Sequence, residues 1–522
     1  MPSASLGEQS PPFLWGVATS AYQHEGGLNG EGQPQNNWAW AEREHRVDPA
    51  GDAADFWRRA EEDFARCRSL GLNAFRLSLA WERIQPVTAL SSDANGEPRV
   101  QTPPPFDEMA LGRYAEILTA CRKEGLEPLV TLHHFTHPAW LGLDAWLDPA
   151  TIEHYLRFVE KTVGFLLDAL PRQYSVAPPI WFITINEPNL LATSTYFNGA
   201  FPKGEKTAST PARSIACISH LIEAHVRAYR LIHRLYHEAG EIGERAPKVS
   251  FNNYCSDLYW NDQAWLDLLF APSRGIPRNG LFPYLWKQTW ALDDAFHKAH
   301  LPIRPWFRYW LGEMLKKLHH FVAYACSFET AWSRLLDLLY DESETKAPLD
   351  YIALDYYDPF IAHALRWPRG GDLFHKHRAD PMRSRPQFLD RLIESIMTKW
   401  WDWRLLPEGL PFFIRLLERF ELPIIIAENG MANRSDLEEH HGRRDNLLRS
   451  DFLRQHLAEV KKLRAEGSLL AGYFYWSLVD NYEWGSYAPR FGLYTRERQA
   501  VDFRGDNAPA TYAQEIAEEL PL

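Results

Sequence analysis

The 522-residue sequence predicts an α/β fold, a single (β/α)8 barrel of the TIM type with long insertions in its βα loops. Two observations carry this expectation. Eight short apolar runs, rich in β-branched and aromatic residues, recur along the chain, and segments with helical periodicity separate them. No compositional break or flexible linker divides the sequence, so one domain spans 1–522, with 1–10 as a flexible arm. Periodicity alone leaves a doubly wound open sheet as the rival, and no GxGxxG turn supports it.

The strand candidates, in order, are 13–18, 74–79, 128–133, 180–185, 248–251, 351–354, 423–427 and 472–476. Helical patterns fill the gaps. In 53–70, Phe56, Ala60, Phe64 and Cys67 share a face, and Gly71 supplies the stop. In 111–124, Leu111, Tyr114, Leu118 and Cys121 repeat that face before Gly125. The pattern of 152–170 stops at Pro171, that of 451–466 stops at Gly467, and 510–519 closes the chain. Two stretches, 257–347 and 361–403, escape the alternation and are expected as long loop insertions. The first concentrates Trp260, Trp265, Trp286, Trp290, Trp306, Trp310 and Trp332. A lid that builds an apolar ligand pocket, a subunit interface, outer-ring packing and a surface-bound amphipathic helix all fit such a cluster.

Composition narrows the function classes. The hydrophobic share is 45% and the charged share 24%, which suits a large packed core and not a disordered chain. The net charge of −12 offers no footprint for nucleic acid. Five scattered cysteines without CxxC spacing read as reduced, mostly buried thiols. The first ten residues lack a basic n-region and an apolar h-region, and no run of 18 apolar residues occurs. The expectation is therefore a soluble cytoplasmic protein without a membrane segment, with a homo-oligomer left open.

In a barrel, the βα loops open at the carboxyl ends of the strands, so reacting groups collect there. The fourth apolar run is followed by Asn186-Glu187-Pro188, and the seventh by Glu428-Asn429-Gly430. Two carboxyls facing each other across a barrel mouth meet the need of glycoside hydrolysis, where one group protonates the leaving oxygen and the other stays ionised. Position alone favours the plainer reading, ordinary strand-end acids paired with Lys or Arg.

The surrounding motifs decide between these. PFLWGVATSAYQHEG at 12–26, FITINEP at 182–188, IIIAENG at 424–430 and GYFYWSLVDNYEWGSYAPRFGL at 472–493 resemble, in the right order, the signatures of glycoside hydrolase family 1, the β-glucosidase family. AFRLSLAWERI at 74–84, PLVTLHHFTHPAWL at 128–141 and LDYIALDYY at 349–357 resemble it too, with weak cover over 257–347.

The resemblance implies a retaining β-glycosidase that takes small-molecule or oligosaccharide β-glycosides, with no cofactor. It implies that Glu187 is the acid/base and Glu428 the nucleophile, with their carboxyls about 5 Å apart. Asn186 matches the residue that holds the sugar's 2-hydroxyl, and Arg76 and Tyr357 match the groups beside the nucleophile. Gln23 and His134 match contacts to ring hydroxyls, and Trp476 matches the floor beneath the ring. Glu483 matches the acceptor for the 4- and 6-hydroxyls, with the Trp484 indole N–H beside it.

The sequence also departs from the family pattern. Asp355 stands where Asn is usual, a change that either alters charge near the site or is tolerated. Ala427 stands where Thr is common and Phe135 where Trp is common, and the segment 484–490 is one residue short. The His pairs 133–134, 319–320 and 440–441 lack metal-ligand spacing, so no metal is expected. The Arg-rich run 366–391 reads as a solvated loop. Three functions compete: hydrolysis of neutral β-glucosides, with β-galactosides and β-fucosides also open; phospho-β-glycosidase activity; and a catalytically inactive glycoside-binding module. Glu483 opposes a 6-phosphate, and both carboxyls are retained, so the first is expected.

Overall fold

The computed structural model describes residues 12–88, 103–303, 306–329, 332–341, 346–361, 403–434, 443, 445–500, 502–503, 506–517 and 519. The run 366–391, most of the 361–403 insertion, the arm 1–10 and the pair His440–His441 lie outside the described residues.

Eight parallel strands close into a barrel in chain order. They are β1 (Leu14–Ala18), β2 (Ala74–Ser78), β3 (Glu127–Thr131), β4 (Trp181–Asn186), β5 (Lys248–Tyr254), β6 (Ile352–Tyr356), β7 (Ile424–Asn429) and β8 (Leu470–Trp476). β8 returns to β1 with Leu14 opposite Gly472 and Ala18 opposite Trp476. Each expected strand overlaps an observed one. Closure excludes the open-sheet rival.

The helices are α1 (Phe56–Ser69), α2 (Glu108–Lys123), α3 (Ala150–Ala169), α4 (Pro188–Tyr196), α5 (Pro211–Glu238), α6 (Gln263–Phe270), α7 (Leu281–Ala299), α8 (Trp306–Glu329), α9 (Ser333–Leu339), α10 (Gly409–Leu417), α11 (Arg449–Ala465) and α12 (Ala508–Ala517). Asp107 caps α2 by accepting from the N–H groups of Met109 and Ala110. α3 ends at Ala169, just before Pro171, and a separate π-helical turn, Leu170–Tyr174, follows with Pro171 in its first turn. Proline is tolerated there because a first-turn residue needs no amide donor.

Side chains alternate along the regular parts of the strands, which sorts the core into two parts. Trp15 and Val17, Phe75 and Leu77, Phe182, Ile424 and Ile426, and Tyr473 and Tyr475 pack with the helical layer. Leu14, Ala18, Ala74, Leu129, Trp181, Ile183, Ala353, Ile425, Ala427, Phe474 and Trp476 form a separate cluster within the barrel. Arg76 and Asp355 continue the inward phase of β2 and β6 and are completely buried.

The insertion 257–347 corrects the expectation of a long loop, because it folds largely into α6, α7, α8 and α9. Its apolar residues recur at helical spacing, and burial of the resulting faces outweighs the absence of a strand partner. Trp260, Trp265 and Trp332 are buried. Trp265 meets Trp332 at 5.2 Å, and Trp260 and Trp286 both meet Tyr324. These rings therefore pack against one another within the insertion. Trp290 and Trp310 face solvent, and Met314, Leu318, Phe321 and Val322 extend the exposed apolar stripe along α8.

Candidate active site

Each sequence-predicted site residue except Arg76, which lies in the middle of β2, sits at or beyond the carboxyl end of a barrel strand. Gln23 lies in a short helix after β1, Arg76 in β2, and His134 three residues after β3. Asn186 ends β4 and Glu187 follows it; Tyr357 follows β6; Glu428 is in β7; Trp476 ends β8, and Glu483 and Trp484 lie in the loop beyond.

Two irregularities in strand register aim these groups. Leu354 pairs with Ile426, but Asp355 pairs with Glu428, so β7 carries one extra residue at Ala427. The bulge reverses the alternation and brings Glu428 into phase with inward-facing Asp355. A similar shift between Ile183 and Asn186 brings Asn186 opposite Asn252. At Glu187 the backbone is left-handed, φ 38° and ψ 61°, where the chain leaves β4 for α4. A non-glycine residue held there stores about 1–3 kcal/mol of strain, as binding and catalytic sites commonly do. Gly430 allows β7 to approach β8: a Cβ at this position would lie 2.0 Å from the Trp476 carbonyl oxygen.

The side chains form one connected network. Arg76 donates from Nη1 to Glu428 Oε1 at 2.7 Å, and the Tyr357 hydroxyl donates to Glu428 Oε2 at 2.8 Å. Arg76 also donates to the Asn186 side-chain oxygen, to Thr131 Oγ1 and to the Ala427 carbonyl. Asn252 donates both to Asn186 Oδ1, at 2.8 Å, and to Asp355. Oxygens of Glu187, Asp355 and Glu428 converge to within 4.8 Å of one another, all three residues buried.

That convergence sets the electrostatics. Burial pushes the Glu187 carboxyl well up, and the neighbouring Asp355 and Glu428 push it further. Burial also raises Glu428, but Arg76 and Tyr357 oppose the rise. Glu187 therefore keeps its proton to higher pH than Glu428 does.

The remaining candidates build an adjoining aromatic and polar wall. Gln23 donates to Glu483 Oε2 at 2.9 Å, and Ser20 orients Gln23 by donating to its Oε1 at 2.6 Å. His134 lies between two indoles, stacked on Trp476 and on Trp484 with ring centroids 5.9 Å apart in each case. Burial first, then Arg76, lowers the His134 pKa well below the ordinary value and keeps the ring neutral. Asn186 Nδ2 and His134 Nδ1 are buried without a protein hydrogen-bond partner. Trp484 is anchored against Tyr22, Trp38, Phe135 and Phe201. The shortened loop beyond it closes as a turn, with Glu483 N–H donating to the Ser486 carbonyl. The adjacent ring of His133 diverges from His134 and accepts from Trp146 Nε1.

Two participants escaped the sequence reading of the site. Asn252, which joins Asn186 to Asp355, lies where β5 turns from apolar to polar, the same signal that drew attention to Glu187. For Asp355 the sequence assigns no role, only the alternatives of altered charge near the site or tolerance, and it is one of the three converging carboxyls.

A closed barrel with converging carboxyls at its mouth, flanked by stacked aromatics, suits the chemistry of glycoside cleavage, and comparison with known proteins shows the family. The sequence profile of Glycosyl hydrolase family 1 matches residues 8–252 and 311–520. The chain belongs to that family and is a glycosidase. The profile breaks across 253–310, which includes α6 and α7. Among relatives, a 6-phospho-beta-galactosidase of Clostridium acetobutylicum is 26% identical over 95% of this chain and 93% of its own length. A second, from Staphylococcus aureus, is 25% identical over 97% of each chain. A beta-glucosidase from Thermotoga maritima in complex with galacto-hydroximolactam shares the fold with a TM-score of 0.62, at 20% identity over 98% of both chains. A beta-glycosidase from Pyrococcus horikoshii does so with a TM-score of 0.56, at 22% identity over 98% of both. Among the described residues, no helix is long and apolar enough to cross a membrane.

Proposed function

We propose that this chain is a retaining β-glycosidase that hydrolyses neutral β-glucosides by double displacement. The close approach of the Glu187 and Glu428 carboxyls carries this reading. Retaining enzymes hold their carboxyls about 5–5.5 Å apart, whereas inverting enzymes need about 6.5–9.5 Å to admit a water between them. Glu428, hydrogen-bonded by Arg76 and Tyr357, attacks the anomeric carbon while Glu187 gives its proton to the departing oxygen. Glu187 then takes a proton from the water that releases the sugar. Asn186, Gln23, His134, Trp476, Glu483 and Trp484 bind the glycone, Trp476 by stacking and the others through polar atoms.

A specific observation favours the second reading, phospho-β-glycosidase activity: both relatives named above are 6-phospho-beta-galactosidases. Glu483 argues against it here. It is buried against Gln23, and burial and Glu428 raise its pKa. Ionised, it repels a phosphate; protonated, it still supplies no cation to neutralise one. Aryl β-glucoside, β-galactoside, β-fucoside and their 6-phosphates, assayed side by side, test the choice. The glucoside is expected to exceed its 6-phosphate many-fold in kcat/KM, and NMR is expected to show the β-anomer of the sugar formed first. Comparable rates on the two glucosides, or a first-formed α-anomer, would overturn the proposal.

A further inference from the structure

Asp355 places a third carboxyl in a site whose proposed chemistry uses two. Its position follows from strand phase: Ile352 and Leu354 face the helices, while Ala353 and Asp355 face the barrel interior. The groups around it come from four other strands or their ends. They are Arg76 from β2, Glu187 after β4, Asn252 from β5 with Cys255 just beyond, and Glu428 from β7; Tyr357 follows on its own strand. Cys255 donates its backbone N–H to the Asp355 carbonyl, and burial pushes its thiol pKa well up, so it brings no charge. Tyr357 is likewise held neutral by burial. Arg76 is thus the one cation among these groups, facing three carboxyls.

The cation is not shared equally. Arg76 Nη1 lies 2.7 Å from Glu428 but 3.8 Å from the nearer Asp355 oxygen, and Tyr357 also donates to Glu428. Glu428 therefore holds the ionised position. Glu187 and Asp355 are left facing one another, both buried, with oxygens within 4.8 Å. A hydrogen bond between them would satisfy Asp355 Oδ1, which has no other hydrogen-bond partner among the described residues. Two carboxyls can make that bond only if a proton lies between them.

We propose that Asp355 is a positioning residue that shares the acid/base proton with Glu187 in a carboxyl–carboxylate hydrogen bond, keeping Glu187 loaded at pH values where a lone buried acid would have ionised. This rests on the double-displacement reading above. In the first step the bond between the anomeric carbon and the leaving oxygen breaks, a bond from Glu428 to that carbon forms, and the shared proton passes through Glu187 to the leaving oxygen. In the second, water oxygen bonds to the anomeric carbon, the ester to Glu428 breaks, and the water's proton returns to the Glu187–Asp355 pair. An asparagine in place of Asp355 can make a hydrogen bond to Glu187 but cannot share a proton with it.

The test compares wild type with Asp355→Asn over a full pH range, using aryl β-glucosides with good and poor leaving groups. Removal of the like charge is expected to move the alkaline limb of kcat/KM down by one pH unit or more. The loss in kcat is expected to fall mainly on poor leaving groups. In a Glu187→Ala background the same change is expected to leave the alkaline limb where it was, because the two residues act as a unit. A folded Asp355→Asn enzyme with an unmoved alkaline limb overturns the inference. Carboxyl-carbon NMR of the wild-type protein provides a readout that needs no variant. Glu187 and Asp355 are expected to titrate in two widely separated, mutually dependent steps, and independent titration at ordinary carboxylate values overturns it. A wild type inactive on every glycoside at every pH would sink the proposed function, while the NMR titration would still decide the shared proton.

Discussion

At Glu428 two donors act on one buried carboxylate, and only one of them is charged. Arg76 lowers the pKa that burial raises, so Arg76→Gln is expected to move the acid limb of kcat/KM to higher pH. The rate is expected to fall by about 100-fold or more at neutral pH, since a preorganised charge at the reacting centre is lost. An acid limb that stays in place would mean that Arg76 serves packing alone. Substituting the carboxyls separates their roles. Glu428→Gly is expected to abolish turnover with the fold intact, and azide to restore activity with an α-configured product. Glu187→Ala is expected to spare the first step for substrates with good leaving groups. Restoration by azide that yields a β-configured product from Glu428→Gly would assign the nucleophile elsewhere.

The elements around the mouth differ in how they were encoded. The strands announced themselves by apolar runs, but the bulge at Ala427 that turns Glu428 inward did not, because a register shift exists only between two paired strands. The helices of the 257–347 excursion were read as loop because no strand separates them and their amphipathic faces have unequal burial. Trp265 packs against Trp332, whereas Trp310 faces solvent. Trp265→Ala is expected to cost about 3–5 kcal/mol of stability through the cavity it leaves. Trp310→Ala is expected to change stability by no more than about 0.5 kcal/mol. Equal losses in thermal unfolding would contradict the packing of Trp265 within the insertion.

Over the whole molecule, long-range ties lock the barrel closed. The Tyr512 hydroxyl in α12 donates to the Gly16 carbonyl in β1, and buried Arg498 pairs with buried Asp63 in α1 at 2.9 Å. On the opposite side His225 of α5 bridges Thr184 of β4 and the Pro348 carbonyl before β6. Burial lowers the His225 pKa from the ordinary 6.5 to about 3. The unfolded chain therefore binds a proton there that the folded protein refuses. Its contribution to stability is complete above the unfolded value and is lost as pH falls from about 6.5 toward 3, at about 1.4 kcal/mol per pH unit. His225→Asn removes that proton, so the Tm gap between wild type and variant is expected to narrow as pH is lowered from 7 to 4. A gap that stays constant would show that the imidazole titrates alike in both states.

The sequence by itself determined the barrel, the order of its strands and the residues at their ends, because those rest on local signals: apolar runs, helical periodicity, and short motifs around Glu187 and Glu428. Gln23 and Glu483, 460 positions apart, were both legible as site residues, but the 2.9 Å hydrogen bond between them was not. Only the tertiary structure decided which charges meet. Arg76, Asn252 and Asp355 lie on three different strands, and strand phase with bulges at Ala427 and before Asn186 determines whether their side chains face the mouth or the helices. A carboxyl such as Asp355 reads in the sequence as a departure that either alters charge near the site or is tolerated, and chain order does not choose between them. Its effect on Glu187 arises from burial and from Coulomb interactions over a few ångströms, which depend on distances that chain order does not contain.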